Sequence, residues 1–127
     1  MKKSGKIVWQ DLTVEHAEEI KNFYCDVIGW ESSDVNQGDY NDFNIHTSSD
    51  DHEVIAGICY KKGKIKNFPS QWLNYVTVED LSSSLEKCLK LQGKIIEGPT
   101  LMGKSKVAII QDPAGAYLAL IEDLIEE

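Results

Sequence analysis

The sequence predicts an α+β protein made of two tandem βαβββ modules, whose strands form a curled mixed sheet around a cavity. The first observation behind this prediction is an internal repeat. Residues 13–15 (TVE) recur as residues 77–79, and the same ungapped offset places Gly29 on Gly93. The second observation is that each copy changes from strand-like composition to the three- and four-residue spacing of a helix.

Each copy opens with a strand, KIVWQDLTV (residues 6–14) or WLNYVTV (72–78), followed by an amphipathic helix. Asp80 is predicted to cap the second helix, and His16 has the equivalent position in the first. Gly29 and Gly93 are predicted to take the left-handed position just beyond each helix. The apolar positions expected to face the core are Ala17, Ile20, Phe23, Tyr24, Val27 and Ile28 in the first helix, and Leu81, Leu85, Cys88 and Leu89 in the second.

Three short strands are predicted after each helix, because strand-like runs there alternate with turn residues. A sheet covered by one helix leaves its other face bare, so two such sheets side by side would enclose a shared cavity. The predicted single domain spans residues 1–127, with a first module at 1–60, a linker at 61–70 and a second module at 71–127. The predicted strands are 30–35, 40–47 and 53–60 in the first copy, and 94–97, 106–111 and 116–121 in the second.

Composition restricts the classes of function. The hydrophobic fraction of 42% and the charged fraction of 27% are typical of a soluble globular protein, and no apolar run is long enough to cross a bilayer. The net charge of −8 argues against nucleic acid as a partner. The N-terminal residues lack the apolar segment of a signal peptide, so we expect a cytoplasmic protein.

Two groups of residues are expected to have no functional role. No two cysteines are close in sequence, so Cys25, Cys59 and Cys88 are expected to be buried, inert thiols. The acidic residues near the C-terminus are expected to form a solvated tail; they are Glu122, Asp123, Glu126 and Glu127.

Two motifs carry a family resemblance: FYCDVIGWE (residues 23–31) at the end of the first helix, and QDPAGAYLALIE (111–122) around the last strand. Together with WQDL (9–12) and the βαβββ repeat, they resemble the vicinal oxygen chelate superfamily, which includes glyoxalase I, bleomycin-resistance proteins and extradiol dioxygenases. The resemblance covers essentially the whole chain. It implies the glyoxalase/bleomycin-resistance-like fold, with paired modules, frequent dimers and a ligand cavity inside the curled sheet.

Metal-dependent members of that superfamily hold a divalent ion with His, Glu or Gln side chains from four strands. The resemblance and the repeat place those four positions at Trp9, Gly57, Leu73 and Ala119. None of these side chains can bind a metal, and such a site needs three or four imidazole or carboxylate donors. We therefore expect neither a metal nor another cofactor.

The candidate ligand site follows from strand alternation. Trp9 and Asp11 share one face of the first strand, and Leu73 and Tyr75 share the equivalent face of the second, with Ala119 on the last strand. The two aromatic rings would stack on a flat ligand while Asp11 accepts a hydrogen bond. The alternative is that the rings only fill space. Asp11 is also a candidate general base if it points into the cavity, or a structural residue if it lies at the rim.

Two histidines flank the turn TSSDD (residues 47–51), and their role is left open. His46 and His52 could face each other across a hairpin and hold a metal with Asp50, Asp51 or Glu53. Surface histidines beside an acidic turn are the alternative.

The function expected from these residues is metal-independent binding of a small organic molecule, as in the bleomycin-resistance type of activity. Two alternatives stay open: a glyoxalase-like lyase or isomerase that uses acid–base residues such as Asp11, and a non-catalytic interaction module whose own side chains fill the cavity. The sheet edges of βαβββ modules also predict a homodimer. The identity of the ligand, catalytic turnover and the mode of dimerisation are left open by the sequence.

Overall fold

The computed structural model describes residues 4–48, 53–62 and 68–124 of the chain. The element order is β-α-β-β-β twice, as the repeat predicts. The elements are β1 (Ile7–Val14), α1 (Ala17–Ile28), β2 (Glu31–Asn36), β3 (Asn41–His46), β4 (Val54–Tyr60), β5 (Trp72–Thr77), α2 (Leu81–Lys90), β6 (Lys94–Met102), β7 (Ser105–Gln111) and β8 (Tyr117–Asp123).

The chain forms two compact units, each with one helix and with strands in mixed orientation. The first unit is Gln10–Trp72, and the second joins Met1–Trp9 to Leu73–Glu127. The strand order in the first unit is β2-β3-β4-β1, and β1 runs parallel to β4. The order in the second unit is β5-β8-β7-β6, and β5 runs parallel to β8. The predicted βαβββ modules with mixed sheets are confirmed.

The start of the chain belongs to the second unit through backbone hydrogen bonds to Thr77. The Gly5 N–H donates to the Thr77 carbonyl at 2.7 Å, and the Thr77 N–H donates to the Lys6 carbonyl at 2.9 Å. The Lys6 N–H also donates to Thr77 Oγ1 at 3.0 Å. The modules expected at 1–60 and 71–127, with a linker at 61–70, stay a prediction. Lys61 continues the first unit, since its N–H donates to the Val14 carbonyl at 2.9 Å.

The core of the first unit lies between α1 and one face of its sheet. Ala17, at the start of α1, is fully buried, and Tyr24 packs against the same cluster two turns later. The sequence also places Phe23, Val27 and Ile28 in this core, and there it is wrong: all three are more than half exposed, because α1 buries only a narrow stripe. The buried residues of the sheet are Leu12, Val14, Phe43, Ile45, Ala56 and Ile58.

The second unit repeats this arrangement with α2. Leu81 and Leu85 are buried against Ala108 and Leu120, whereas Leu89 is 54% exposed rather than part of the core. The three cysteines are half-buried, so the expectation that they are buried is wrong.

The N-terminus of α2 is capped by two carboxylates. The Ser83 N–H donates to Asp80 Oδ1 at 3.3 Å, which confirms the predicted cap. The Leu81 N–H donates to Glu122 Oε1 at 2.8 Å. Glu122 is therefore not part of a solvated tail; it lies in β8, two residues beyond the buried Leu120 and on the same face. Asp123 also has a hydrogen-bond partner, since Ser105 Oγ donates to its Oδ1 at 3.0 Å. Glu126 and Glu127 lie outside the described ranges.

The first helix starts differently. His16 occupies the N-cap position of α1, but its side chain makes no capping hydrogen bond, so the expected role of His16 is wrong. Glu18 and Glu19 stand in the first turn instead, where negative charge is favourable.

The two repeated glycines have different roles. Gly29 has φ +90° and its N–H donates to the Cys25 carbonyl at 2.8 Å, which confirms the left-handed position. After the left-handed turn at Gly29, the ring centroid of Trp30 lies 6.0 Å from that of Tyr24. Gly93 does not have a positive φ, and Gln92 takes the left-handed conformation instead, with φ +74°.

Gly93 is needed for space rather than for conformation. A Cβ atom on Gly93 would lie 2.5 Å from Cys88 Sγ, 3.0 Å from the Cys88 carbonyl oxygen and 3.2 Å from the Gln111 carbonyl oxygen. The strand that begins at Lys94 therefore approaches the end of α2 too closely for a side chain at this position.

Strand boundaries agree with the predictions to within two residues except in β6. This strand was expected to end at Glu97 but continues to Met102. Its register against β7 shifts twice, after Ile95 and after Glu97. Such irregularities let a strand include Gly98 and Pro99, which otherwise signal a turn.

The motif before the last strand is an Asx-type turn. Asp112 Oδ1 accepts hydrogen bonds from the N–H groups of Ala114 and Ala116, at 2.8 and 3.1 Å, and Gly115 has φ +97°. Within the described ranges, neither helix is long and apolar enough to span a membrane.

Candidate functional site

The candidate site is the face of the first unit's sheet that lies opposite α1, called here the helix-free face. In β1, Leu12 and Val14 pack toward the core, so Asp11 and Thr13 point to the other face. The register pairs Asp11 with Gly57 of β4, and Gly57 in turn with Asn44 of β3. Three adjacent strands therefore present a carboxylate, a glycine and an amide side by side.

Gly57 leaves a gap between two polar side chains. Neighbouring strands are about 4.8 Å apart, so the backbones that carry Asp11 and Asn44 are separated by about 10 Å, with only hydrogen atoms of Gly57 between their side chains. Both polar side chains are half-buried. We call this position over the buried Gly57 the Gly57 gap; it has an acceptor on one side and an amide on the other.

Further polar groups lie around the Gly57 gap. The next pair along the strands is Thr13 and Cys59, both half-buried. Asp42 is the buried polar residue of the described core, and its Oδ1 accepts a hydrogen bond from the Tyr60 N–H at 2.8 Å. Asp42 therefore supports the sheet rather than the candidate site.

His46 is held by a residue that the sequence did not single out. Ser33 Oγ lies 2.7 Å from His46 Nε2, so the two side chains share a hydrogen bond on the helix-free face. The histidine that was considered as a metal partner, His52, lies outside the described residues, as do Asp50 and Asp51. Glu53 is exposed in the described part of that loop.

The four positions expected for a metal do not offer donors. Trp9 is half-buried in β1, while Gly57, Leu73 and Ala119 are buried strand residues. The register places Gly57 beside Asp11 rather than beside Trp9. No group of three or more His, Cys, Asp or Glu residues suited to a metal occurs in the part of the chain that the structure describes. The side chains present do not fit the divalent site of the metal-dependent relatives.

The remaining candidate residues lie in the second unit. Leu73 and Tyr75 are buried in β5, and the register pairs Tyr75 with Ala119 of β8. Val76 packs toward α2, so Tyr75 and Ala119 point to the face opposite that helix. The structure thus brings Tyr75 and Ala119 together, and the role of these residues in ligand binding stays a prediction.

Sequence reasoning missed Asn44 and Ser33. A usable signal was present in NDFNIH (residues 41–46), where the core residues Phe43 and Ile45 alternate with polar ones. A strand that is apolar on one face and carries an amide and an imidazole on the other predicts that its second face is not packed with apolar side chains.

The sequence that forms these elements matches a known family. The chain belongs to the Glyoxalase/Bleomycin resistance protein/Dioxygenase superfamily, whose family model matches residues 6–120. Among curated relatives, it is 25% identical over 132 residues to the anthracycline biosynthesis protein DnrV of Streptomyces peucetius. That alignment covers 91% of this chain and 46% of the relative, so the chain spans about half the length of DnrV.

Solved structures show the same fold. A methylmalonyl-CoA epimerase of Streptomyces coelicolor, in complex with 2-nitronate-propionyl-CoA, matches with a TM-score of 0.58 and 11% identity, over 97% of this chain and all of that chain. A hypothetical protein from Bacillus halodurans matches with a TM-score of 0.58 and 11% identity, over 98% and 99% of the two chains. The predicted glyoxalase/bleomycin-resistance-like fold is therefore confirmed.

Proposed function

We propose that this protein binds a small organic molecule on the helix-free face of its first unit, without a divalent metal. The observation that carries this proposal is the row Asp11–Gly57–Asn44, in which a glycine separates two half-buried polar side chains. Because Gly57 has no side chain, none stands between Asp11 and Asn44 at this register position. A ligand group placed over Gly57 would reach both polar neighbours.

The side chains define the chemistry of the ligand. Asp11 offers carboxylate oxygens to a hydroxyl or amine, and Asn44 offers both an N–H donor and a carbonyl acceptor. The ligand therefore combines donor and acceptor groups close to one another. The names of the relatives suggest two probes with such groups: an anthracycline, from DnrV, and methylmalonyl-CoA, from the epimerases.

Metal independence rests on the side chains at the four family positions. An indole, a glycine, an isobutyl group and a methyl group cannot replace imidazole or carboxylate ligands. Binding must then come from hydrogen bonds and from apolar contact with the ligand. We also propose action in the cytoplasm, where cysteine thiols stay reduced.

A homodimer is part of the same proposal. β6 is the edge strand of the second unit, and its end carries Leu101 and Met102, which are 69% and 52% exposed. An exposed apolar edge strand favours pairing with a second chain. We propose that two copies meet along β6.

The test is a thermal-shift measurement with an anthracycline and with methylmalonyl-CoA. A ligand that binds only the folded state raises the melting temperature. Asp11→Asn and Asn44→Ala should each weaken binding by about tenfold, the scale of one hydrogen bond to a charged or polar group. Gly57→Ala should weaken it as well, by filling the Gly57 gap.

Asp34→Asn is the matched control. Asp34 is an exposed residue of β2 whose register partner is the core residue Phe43, so it lies on the other face of the same sheet. Its substitution should leave binding unchanged. Equal affinities for wild type, Asp11→Asn and Gly57→Ala, all folded, would refute the site, and no shift with any ligand would favour a non-catalytic interaction module.

A further inference from the structure

The hairpin β2–β3 carries a serine–histidine pair on the helix-free face. Ser33 Oγ and His46 Nε2 are 2.7 Å apart, which is the spacing of a nucleophile and its general base. Ser33 is exposed and His46 is half-buried, so the hydroxyl is accessible while the imidazole is held by its surroundings.

The register brings two further polar residues to this pair. Glu31 lies directly opposite His46, and Asn44 lies directly opposite Ser33. The Cβ atoms of such cross-strand pairs are about 5 Å apart, so their side chains can reach each other. A carboxylate beside the imidazole can orient its Nδ1–H, and an amide beside the serine can donate to an oxygen bound there.

We propose that Ser33 is a nucleophile that accepts an acyl group, with His46 as its general base, Glu31 as a positioning residue and Asn44 as the donor to the oxyanion. The substrate class is a small ester or thioester. This proposal rests on the proposed function, because Ser33, Asn44 and Gly57 follow one another across three strands. The rest of the substrate would occupy the Gly57 gap.

The reaction has two steps. In the first step, Ser33 Oγ attacks the carbonyl carbon of the substrate, and the hydroxyl proton of Ser33 passes to His46 Nε2. The C–O or C–S bond to the leaving group then breaks, and His46 returns the proton to the departing alkoxide or thiolate. Water then attacks the acyl-serine, giving one proton to His46. The ester bond to Ser33 breaks, His46 returns the proton to Oγ, and a carboxylic acid is released.

The probe is p-nitrophenyl acetate, which needs no other reactant and releases coloured p-nitrophenolate. We expect acetylation of Ser33, seen by intact mass and assigned by peptide mapping, together with release of p-nitrophenolate. Ser33→Ala should abolish this label, and His46→Gln should slow it by on the order of 100-fold. Asn44→Ala should slow it by about the same factor.

Three further variants separate an effect on the chemistry from an effect on folding. Ser32→Ala is the matched control, because Ser32 pairs with the core residue Ile45 and points to the other face; this variant should react like wild type. Glu31→Gln should lower kcat with little change in KM, and Glu31→Asp should restore part of the rate. Acetylation confined to lysines, or an unchanged rate for folded His46→Gln, would overturn the proposal.

The outcome also separates this proposal from the proposed function. If a ligand raises the melting temperature through Asp11 while Ser33 is never acetylated, binding stands and acyl transfer is refuted. If Ser33 is acetylated and neither the anthracycline nor methylmalonyl-CoA binds, acyl transfer is supported and the proposed ligands are wrong.

Discussion

Replacing Gly93 with Ala discriminates between two reasons for a glycine at this position. If Gly93 were needed only for a left-handed helix end, the free-energy cost of Gly93→Ala would come from backbone conformation alone. The structure instead gives Gly93 a crowded site, with Cys88 Sγ 2.5 Å from the place where a Cβ would stand. The cost of Gly93→Ala should therefore depend on the side chain of Cys88.

The expected magnitudes follow from these distances. Gly93→Ala should lower the free energy of unfolding by about 2 kcal/mol, the usual range for an added methyl group in a packed site. A Cβ atom at Gly29 would have no other atom within 4 Å, and Gly29 has φ +90°. Only the conformational cost of about 1 kcal/mol therefore applies to Gly29→Ala. In a Cys88→Ala background the cost of Gly93→Ala should fall by about 1 kcal/mol. Part of the cost of Gly93→Ala should remain, because two carbonyl oxygens would still lie 3.0 and 3.2 Å from the added Cβ atom.

Urea unfolding of wild type, both single variants and the double variant measures this coupling. Gln92→Gly provides a second readout, since the residue with the positive φ is Gln92, and the variant should be more stable by a few tenths of a kcal/mol or more. Additive effects of Cys88→Ala and Gly93→Ala, within about 0.4 kcal/mol, would refute the packing explanation.

Three further predictions concern the metal, the assembly and Trp9. Metal analysis of purified protein should find no stoichiometric Zn, Ni, Mn or Fe, and chelation should leave the melting temperature unchanged; about one equivalent per chain after dialysis against a weak chelator would contradict this. Light scattering at micromolar concentration should give twice the chain mass of 14.3 kDa, and Leu101→Lys should lower it to that of one chain, whereas a wild-type monomer would rule out the dimer. Trp9→Phe should weaken ligand binding by roughly 1 kcal/mol. Trp9→Ala should also destabilise the half-buried site by about 2 kcal/mol, and equal affinities for wild type and Trp9→Phe would assign Trp9 to packing alone.

The repeat was sufficient to predict the element order, because strand and helix patterns are local. It could not predict which apolar residues of α1 are buried, since Phe23 and Val27 have helical spacing but no sheet residue above them. The repeat could not distinguish the structural role of Gly29 from that of Gly93 either. The two are equivalent in sequence, and the close approach of Cys88 and Gln111 to Gly93 exists only in three dimensions.

For the candidate site, alternation predicts that Asp11 lies on the face opposite Leu12 and Val14, but it does not supply the neighbours of Asp11. Those neighbours depend on register, and only the structure aligns Asp11 with Gly57 and then with Asn44. The contact between Ser33 and His46 was hidden for the same reason, since thirteen residues separate them in sequence. A residue pattern gives the face of a side chain, whereas pairing between strands decides its partners.

The cap on α2 has a consequence for how the chain folds as it is synthesised. One of its two carboxylates, Glu122, lies 41 residues after the amide that it accepts from. A nascent chain that has just completed residue 90 has the helix sequence but only Asp80 to hold its first turn. An isolated helix of ten residues is marginal in water. We therefore expect α2 to gain lasting order only when β8 leaves the ribosome, so that the helix and the strand that closes the second unit become stable together.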